Sequence, residues 1–198
     1  MKELETPISD EAISGLEAGD MVYLSGTIYT ARDAAHKKLA EIIEGHSAAP
    51  LSANSAAGLP ACEKLPFDFS GQIVFYAGPA PAKPGKPIGS VGPTTAGRMD
   101  LYSPLLISQG LKLMIGKGLR SKEVAEAIIK YSGVYFAAIG GVAALMAKCV
   151  KTSKVIAFPD LGTEAVAELV VEKFPLVVAI DCKGRSLYET GRQKYYKA

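Results

Sequence analysis

Three short segments of this chain bring a cation or a hydroxyl to a point where a strand should end and a helix begin. They are 27–36 with Arg32, Asp33 and His36, 92–98 with Thr94, Thr95 and Arg98, and 116–121 with Lys117, Arg120 and Ser121. In open α/β sheets ligands sit outside the carboxyl ends of the strands, and helix N-termini offer unpaired N–H groups to anions. If the three loops share one edge, Arg32, Arg98, Lys117 and Arg120 surround a common site for a small acid. Each signal also has a plainer reading. Arg32 and Arg98 can be surface residues, Lys117 a solvent-facing turn, Thr94 and Thr95 helix caps, and His36 a satisfied or exposed histidine one turn into a helix. Yet the positive end of a helix dipole is a poor place for a cation. Making that choice in two loops points to an anion that offsets it.

Other chemistries lack their residues. Gly116-Lys117 does not complete GxxxxGK[ST], because position 111 is Leu and position 118 is Gly, and there is no GxGxxG, HExxH or GxSxG. The three cysteines, Cys62, Cys149 and Cys182, are far apart and odd in number, which suits neither a disulfide framework nor a CxxC metal site. They read as small buried apolar residues in a reducing cytoplasm. Twenty-two Lys+Arg against twenty Asp+Glu leave a formal charge of +2, so net charge argues for neither nucleic acid nor a membrane surface. Residues 1–20 carry acids and a proline rather than the pattern of a signal peptide. No apolar run approaches the ~20 residues of a membrane helix.

The elements that must position these groups follow from periodicity. Strands are predicted over 21–29, 72–76, 111–115, 134–139, 154–158 and 176–181. A helix is expected over 32–43, where Ala35, Leu39, Ile42 and Ile43 recur at helical spacing. Others should begin near Thr94, after Ser121 as N-cap, and at Gly140-Gly141. Residues 79–87, with Pro79, Pro81, Pro84 and Pro87, should be extended and stiff. The Ala- and Ser-rich stretch 45–66 has no sustained period and reads mostly as loop, with 45–64 a probable insertion. Alternating strands and helices in 198 residues predict one α/β domain with a mainly parallel sheet.

The segments SGTIYTARDAAHKKL (25–39), LPFDFSGQIVFYAGP (65–79), GPTTAGRMD (92–100), GKGLRS (116–121) and IGGVAAL (139–145) resemble, in order, the β subunit of class I fumarases and L(+)-tartrate dehydratases. The resemblance covers nearly the whole chain from about Thr6. It implies a three-layer swivelling β/β/α domain, 1–198, closing onto an α subunit that carries a [4Fe-4S] cluster. It also implies reversible hydration of a small dicarboxylate by a hetero-oligomer, with no metal in this chain. Carried over by position, Arg32, Arg98 and Lys117 are similar to the family's substrate-carboxylate ligands, and Thr94 to a hydroxyl proposed for proton transfer. Asp33, His36, Thr95 and Arg120 are supporting candidates. TTAGRMD and Arg120 look more like the fumarase pattern than the tartrate one. A non-catalytic anion-binding or assembly module is the alternative from another class.

Overall fold

A computed structural model of the chain describes residues 1–47 and 64–195. The elements run β1 (Lys2–Glu5), α1 (Asp10–Ser14), β2 (Met21–Thr30), α2 (Asp33–Ser47), β3 (Ile73–Phe75) and, after a 3-10 turn at Ala96–Met99, α3 (Ser103–Ser108). Then follow β4 (Leu113–Gly116), α4 (Lys122–Lys130), β5 (Val134–Ala137), α5 (Ala143–Cys149), β6 (Val150–Ala157), a 3-10 turn at Pro159–Glu164, β7 (Val166–Ile180) and α6 (Leu187–Tyr195). The Ser121 side chain caps α4 by accepting from the Val124 N–H, as its position before an amphipathic run predicts.

The expected three-layer swivelling β/β/α arrangement with a mainly parallel central sheet does not form. β2, β3, β4 and β5 do lie side by side and parallel, but β7 runs antiparallel to both β5 and β2 and closes them into a five-stranded mixed barrel. β1 and β6 extend the sheet beyond β2 and β7. The cause is the length of β7. Its fifteen residues pair with β2 from Val177 back to Ala167, bending at a bulge opposite Leu24 and Gly26, with Lys173 in a left-handed conformation (φ 49°). The sequence suggested only 176–181, because Pro175 interrupts the alternating run.

Closure explains why the short strands are buried on both faces. Ile73, Phe75, Leu113, Ile115, Val134 and Phe136 join Leu169, Val171, Phe174 and Val178 in one core, the barrel interior. Their alternates Val74, Met114 and Tyr135 face a second core under α2, α3 and α4, packed with Leu39, Leu106, Val124 and Ile128. Residues 45–47, read as loop, continue α2. The rest of the proposed insertion, with Cys62, lies mostly outside the described residues. The helix expected near Thr94 is instead the 3-10 turn followed by α3. Among the described residues no helix is long and apolar enough to cross a membrane.

Candidate functional site

The three loops emerge together at the carboxyl edge of β2, β3 and β4. Beyond the strands the ladder continues: the Ala31 N–H donates to the Phe75 carbonyl (3.2 Å) and the Tyr76 N–H to the Ile115 carbonyl (2.8 Å). The segment after Pro93 then wedges in. The Thr94 N–H donates to the Tyr76 carbonyl (2.6 Å), the Lys117 N–H to the Thr94 carbonyl (3.2 Å), and the Ala96 N–H to the Lys117 carbonyl (2.8 Å). Thr94 and Lys117 are thus held by direct backbone hydrogen bonds. The glycines around Lys117 have separate reasons. A Cβ on Gly116 would lie 2.9 Å from a Tyr76 ring carbon and 3.1 Å from the Ala96 methyl, and Gly118 has φ 84°. Lys117 itself is exposed, and among the described residues no carboxylate pairs with it.

A chain of charges joins the other two loops. Arg98 Nη2 donates to Asp33 Oδ2 (2.8 Å), Asp33 Oδ1 lies 3.8 Å from Arg32 Nε, and Arg32 Nη2 lies 3.2 Å from Glu164 Oε1. Arg32 Nε and Asp33 Oδ1 are buried without a hydrogen bond. Such unmet demand is costly, and a ligand or a small rearrangement can relieve it. The Thr94 hydroxyl, half-buried, makes no hydrogen bond among the described residues.

His36 and Arg120 belong behind this rim rather than on it. His36 is buried, its Nδ1–H directed at the Arg32 carbonyl (2.9 Å) and its ring set edge-on to Tyr76. That tautomer follows from its partner, a carbonyl that can only accept. Burial pulls the imidazole down to about 4, helped by the nearby Arg120 charge and opposed by the Arg32 carbonyl, so it stays neutral at ordinary pH. The Arg120 side chain is wholly buried. It donates to Asp100 Oδ1 (2.8 Å) and Ser103 Oγ (2.8 Å) and lies against the rings of Tyr76 and Tyr135. Its Asp100 partner also accepts the Ser121 N–H. Thr95, exposed, makes no side-chain cap. The structure therefore brings Arg32, Asp33, Thr94, Arg98 and Lys117 to one edge and removes Arg120 from the shared anion site that its spacing suggested.

A family model described as "Fumarase C-terminus" matches residues 2–191. The chain belongs to the fumarase C-terminus family. It is 38% identical over 191 residues to "Fumarate hydratase class I, anaerobic" of Escherichia coli (strain K12), covering 96% of this chain and 31% of that protein. To "Fumarate hydratase 2" of Leishmania major it is 39% identical over 190 residues, 94% of this chain and 31% of the other. To "Putative L(+)-tartrate dehydratase subunit beta" of Methanocaldococcus jannaschii it is 39% identical over 196 residues, 96% of this chain and 92% of that one. The chain spans about a third of the length of the fumarate hydratases it matches.

Against the [4Fe-4S] cluster that the resemblance implies, the described residues of this fumarase C-terminus domain do not fit. None of their His, Cys, Asp and Glu side chains gather in a group of three or more that could hold a metal ion. The thiols of Cys149 and Cys182 are free, and each stands near backbone carbonyls in a different part of the fold. The groups that the described residues bring to the rim are cations, a hydroxyl and the carboxylates of Asp33 and Glu164. Sequence reasoning missed Glu164, which no local pattern marks: it lies 132 positions from Arg32 and meets it only through the turn before β7.

Proposed function

We propose that this chain is the β subunit of a class I fumarate hydratase, acting on fumarate and malate with an α subunit that carries the [4Fe-4S] cluster. The observation that carries the reading is the convergence of Arg32, Arg98, Lys117 and the Thr94 hydroxyl at the carboxyl edge of three adjacent parallel strands. Removing a proton beside a carboxylate builds an aci-carboxylate with additional negative charge. Fixed cations stabilise that charge more than they stabilise the ground state. Arg32 and Arg98 present planar donors suited to carboxylates, and Lys117 adds a point charge. Against these three cations stand two carboxylates, Asp33 and Glu164, leaving the rim positive for a dianion. Thr94, fixed through both its N–H and its carbonyl, is the candidate for proton transfer. A threonine hydroxyl is a poor base unaided, and we assign its activation to the α subunit.

Exposed apolar side chains next to the site loops support a partner. Leu101, Leu119 and Ile139 are 82%, 66% and 62% exposed and follow the TTAGRMD segment, follow GKG and precede Gly140-Gly141 respectively. Apolar side chains exposed beside the rim leave surface that a partner subunit can cover. The free thiols suit a reducing cytoplasm.

The tartrate reading keeps one specific support, the 92% coverage of a stand-alone relative named for tartrate. Arg120 no longer separates the two by contact, since it is buried. The deciding experiment mixes the chain anaerobically with its α partner and assays malate, fumarate and tartrate. Turnover of malate and fumarate is expected, and turnover of tartrate alone reverses the assignment. In the same complex Arg98→Ala should cost about 10²–10³-fold in kcat/KM, the usual loss for one preorganised charge-stabilising donor. Normal assembly with unchanged turnover would instead identify a non-catalytic module.

A further inference from the structure

The turn between β6 and β7 supplies a carboxylate that the strand-end loops do not. Glu164 divides its oxygens: Oε1 lies 3.2 Å from Arg32 Nη2, while Oε2 accepts the Ala34 N–H at 3.3 Å in the first turn of α2. The carboxylate thus occupies the positive end of a fifteen-residue helix and holds the guanidinium that precedes it. Its own position is secured. Farther along α2, Lys38 Nζ donates to Asp160 Oδ2 (2.8 Å) in the same turn and lies over the Phe158 ring (5.1 Å). Phe158 and Gly162 adopt left-handed φ values of 53° and 58°, which steer the turn onto the helix. On another flank Arg32 is confined by Gly78, where a Cβ would lie 2.9 Å from Nη1 and 3.1 Å from Cδ, and 3.0 Å from the Thr163 carbonyl oxygen.

We propose that Glu164 is the positioning residue of Arg32: anchored by the β6–β7 turn, it holds the guanidinium at the rim so that its remaining donors meet a ligand carboxylate without reorganising. What Arg32 grips rests on the dicarboxylate reading above; the hold of Glu164 on Arg32 does not. The pair is largely buried, with side-chain exposures of 20% and 23%, and what it gives to binding is one fixed rotamer of a long side chain.

Two measurements on the full chain and its complex separate these points. In the ¹⁵N-labelled chain, resolved Nη resonances of Arg32, assigned by their loss in Arg32→Lys, report a fixed guanidinium. They should merge in Glu164→Ala and persist in Glu164→Gln, which keeps an acceptor oxygen, and in Glu172→Gln, which alters an exposed ion pair with Lys151 elsewhere on β7. In the complex, Glu164→Ala should lower kcat/KM for malate about tenfold, Glu164→Gln should recover most of that, and Glu172→Gln should leave it unchanged. Resolved Arg32 signals in Glu164→Ala overturn the proposal, as does equal merging in Glu172→Gln. A fall in KM on removing Glu164 also overturns it, because it would show a carboxylate competing with the substrate. If the complex turns over no dicarboxylate, the functional reading fails, and the Arg32 resonances still decide the hold of Glu164.

Discussion

Arg98 and Arg120 lie twenty-two positions apart in one stretch of sequence and end in opposite circumstances. Arg120 has no solvent exposure in its side chain and is enclosed by Asp100, Ser103, the Met114 sulfur and the faces of Tyr76 and Tyr135. Burial works against its charge, but Tyr76 and Asp100 outweigh it and raise the pKa. Arg98 is 48% exposed, and among the described residues its side chain holds only Asp33. A guanidinium whose donors are met from within is a tie between elements, here joining the 3-10 turn, α3 and the start of α4. One that keeps donors free at a rim can bind. Residue type and spacing do not separate these cases; the partners do.

The largest effect should come from breaking the enclosed member. Arg120→Met keeps length and apolar bulk but leaves Asp100, whose side chain is 14% exposed, without its cation, and removing one partner of a buried pair costs about 3–5 kcal/mol. Urea denaturation should show that loss, whereas Arg98→Ala should stay within about 1 kcal/mol of wild type, as exposed pairs do. Equal losses would erase the distinction between tie and binder. Asp100→Asn combined with Arg120→Met should recover part of the stability, because no charge then remains unpaired.

What could be read beforehand divides along the same line. β3, β4 and β5 are continuous apolar runs, and the Ser121 cap and the Lys117 glycines are local features, so the sequence displayed them. Closure of the barrel was hidden because it depends on pairing Val166–Ile180 with a strand about 150 residues earlier, through a run broken by Pro175. β1, with the sequence KELE, is a charged edge strand without an apolar period, and it escaped notice too. The loop cations were visible as candidates. Their partners were not: Glu164 and Asp100 reach Arg32 and Arg120 only after the chain has folded back. The anion expected to offset a cation at a helix start proved to include the protein's own carboxylates.

His36 stands between the two arginine environments, bonded to the Arg32 carbonyl and edge-on to the Tyr76 ring that Arg120 also covers. Its pKa of about 4 lies below the ordinary 6.5, so between those values the unfolded chain binds a proton that the folded chain refuses. Stability should therefore be complete above pH 6.5 and fall as pH drops toward 4, by up to about 3 kcal/mol. Asp181 adds nothing in that window: although burial raises it, hydrogen bonds from the Ala18 N–H and Arg185 hold its carboxyl below 3.8, so its loss comes at lower pH. Urea midpoints taken across the window should slope for wild type and flatten in His36→Phe. Parallel curves would place the titrating group elsewhere.

The smallest effect should come from Asp33, the carboxylate between Arg98 and Arg32. Its Oδ2 accepts from Arg98 at 2.8 Å, but its Oδ1, 3.8 Å from Arg32 Nε, forms no hydrogen bond. Asp33→Asn keeps the shape and leaves an oxygen for Arg98 while removing a negative charge from a rim that binds anions. Two consequences oppose one another: Arg98 is held less firmly, and the rim becomes more positive. Because Asp33 is one-third exposed, the charge gain is screened and the weaker hold on Arg98 should decide, raising KM for malate about two- to fivefold with less than about 1 kcal/mol lost in stability. A double-mutant cycle with Arg98→Ala tests the cause. If Asp33 acts by positioning Arg98, Asp33→Asn has no further effect on KM once Arg98 is gone; if it acts by charge alone, KM falls in both backgrounds, and the rim arginines differ from Arg120 only in exposure.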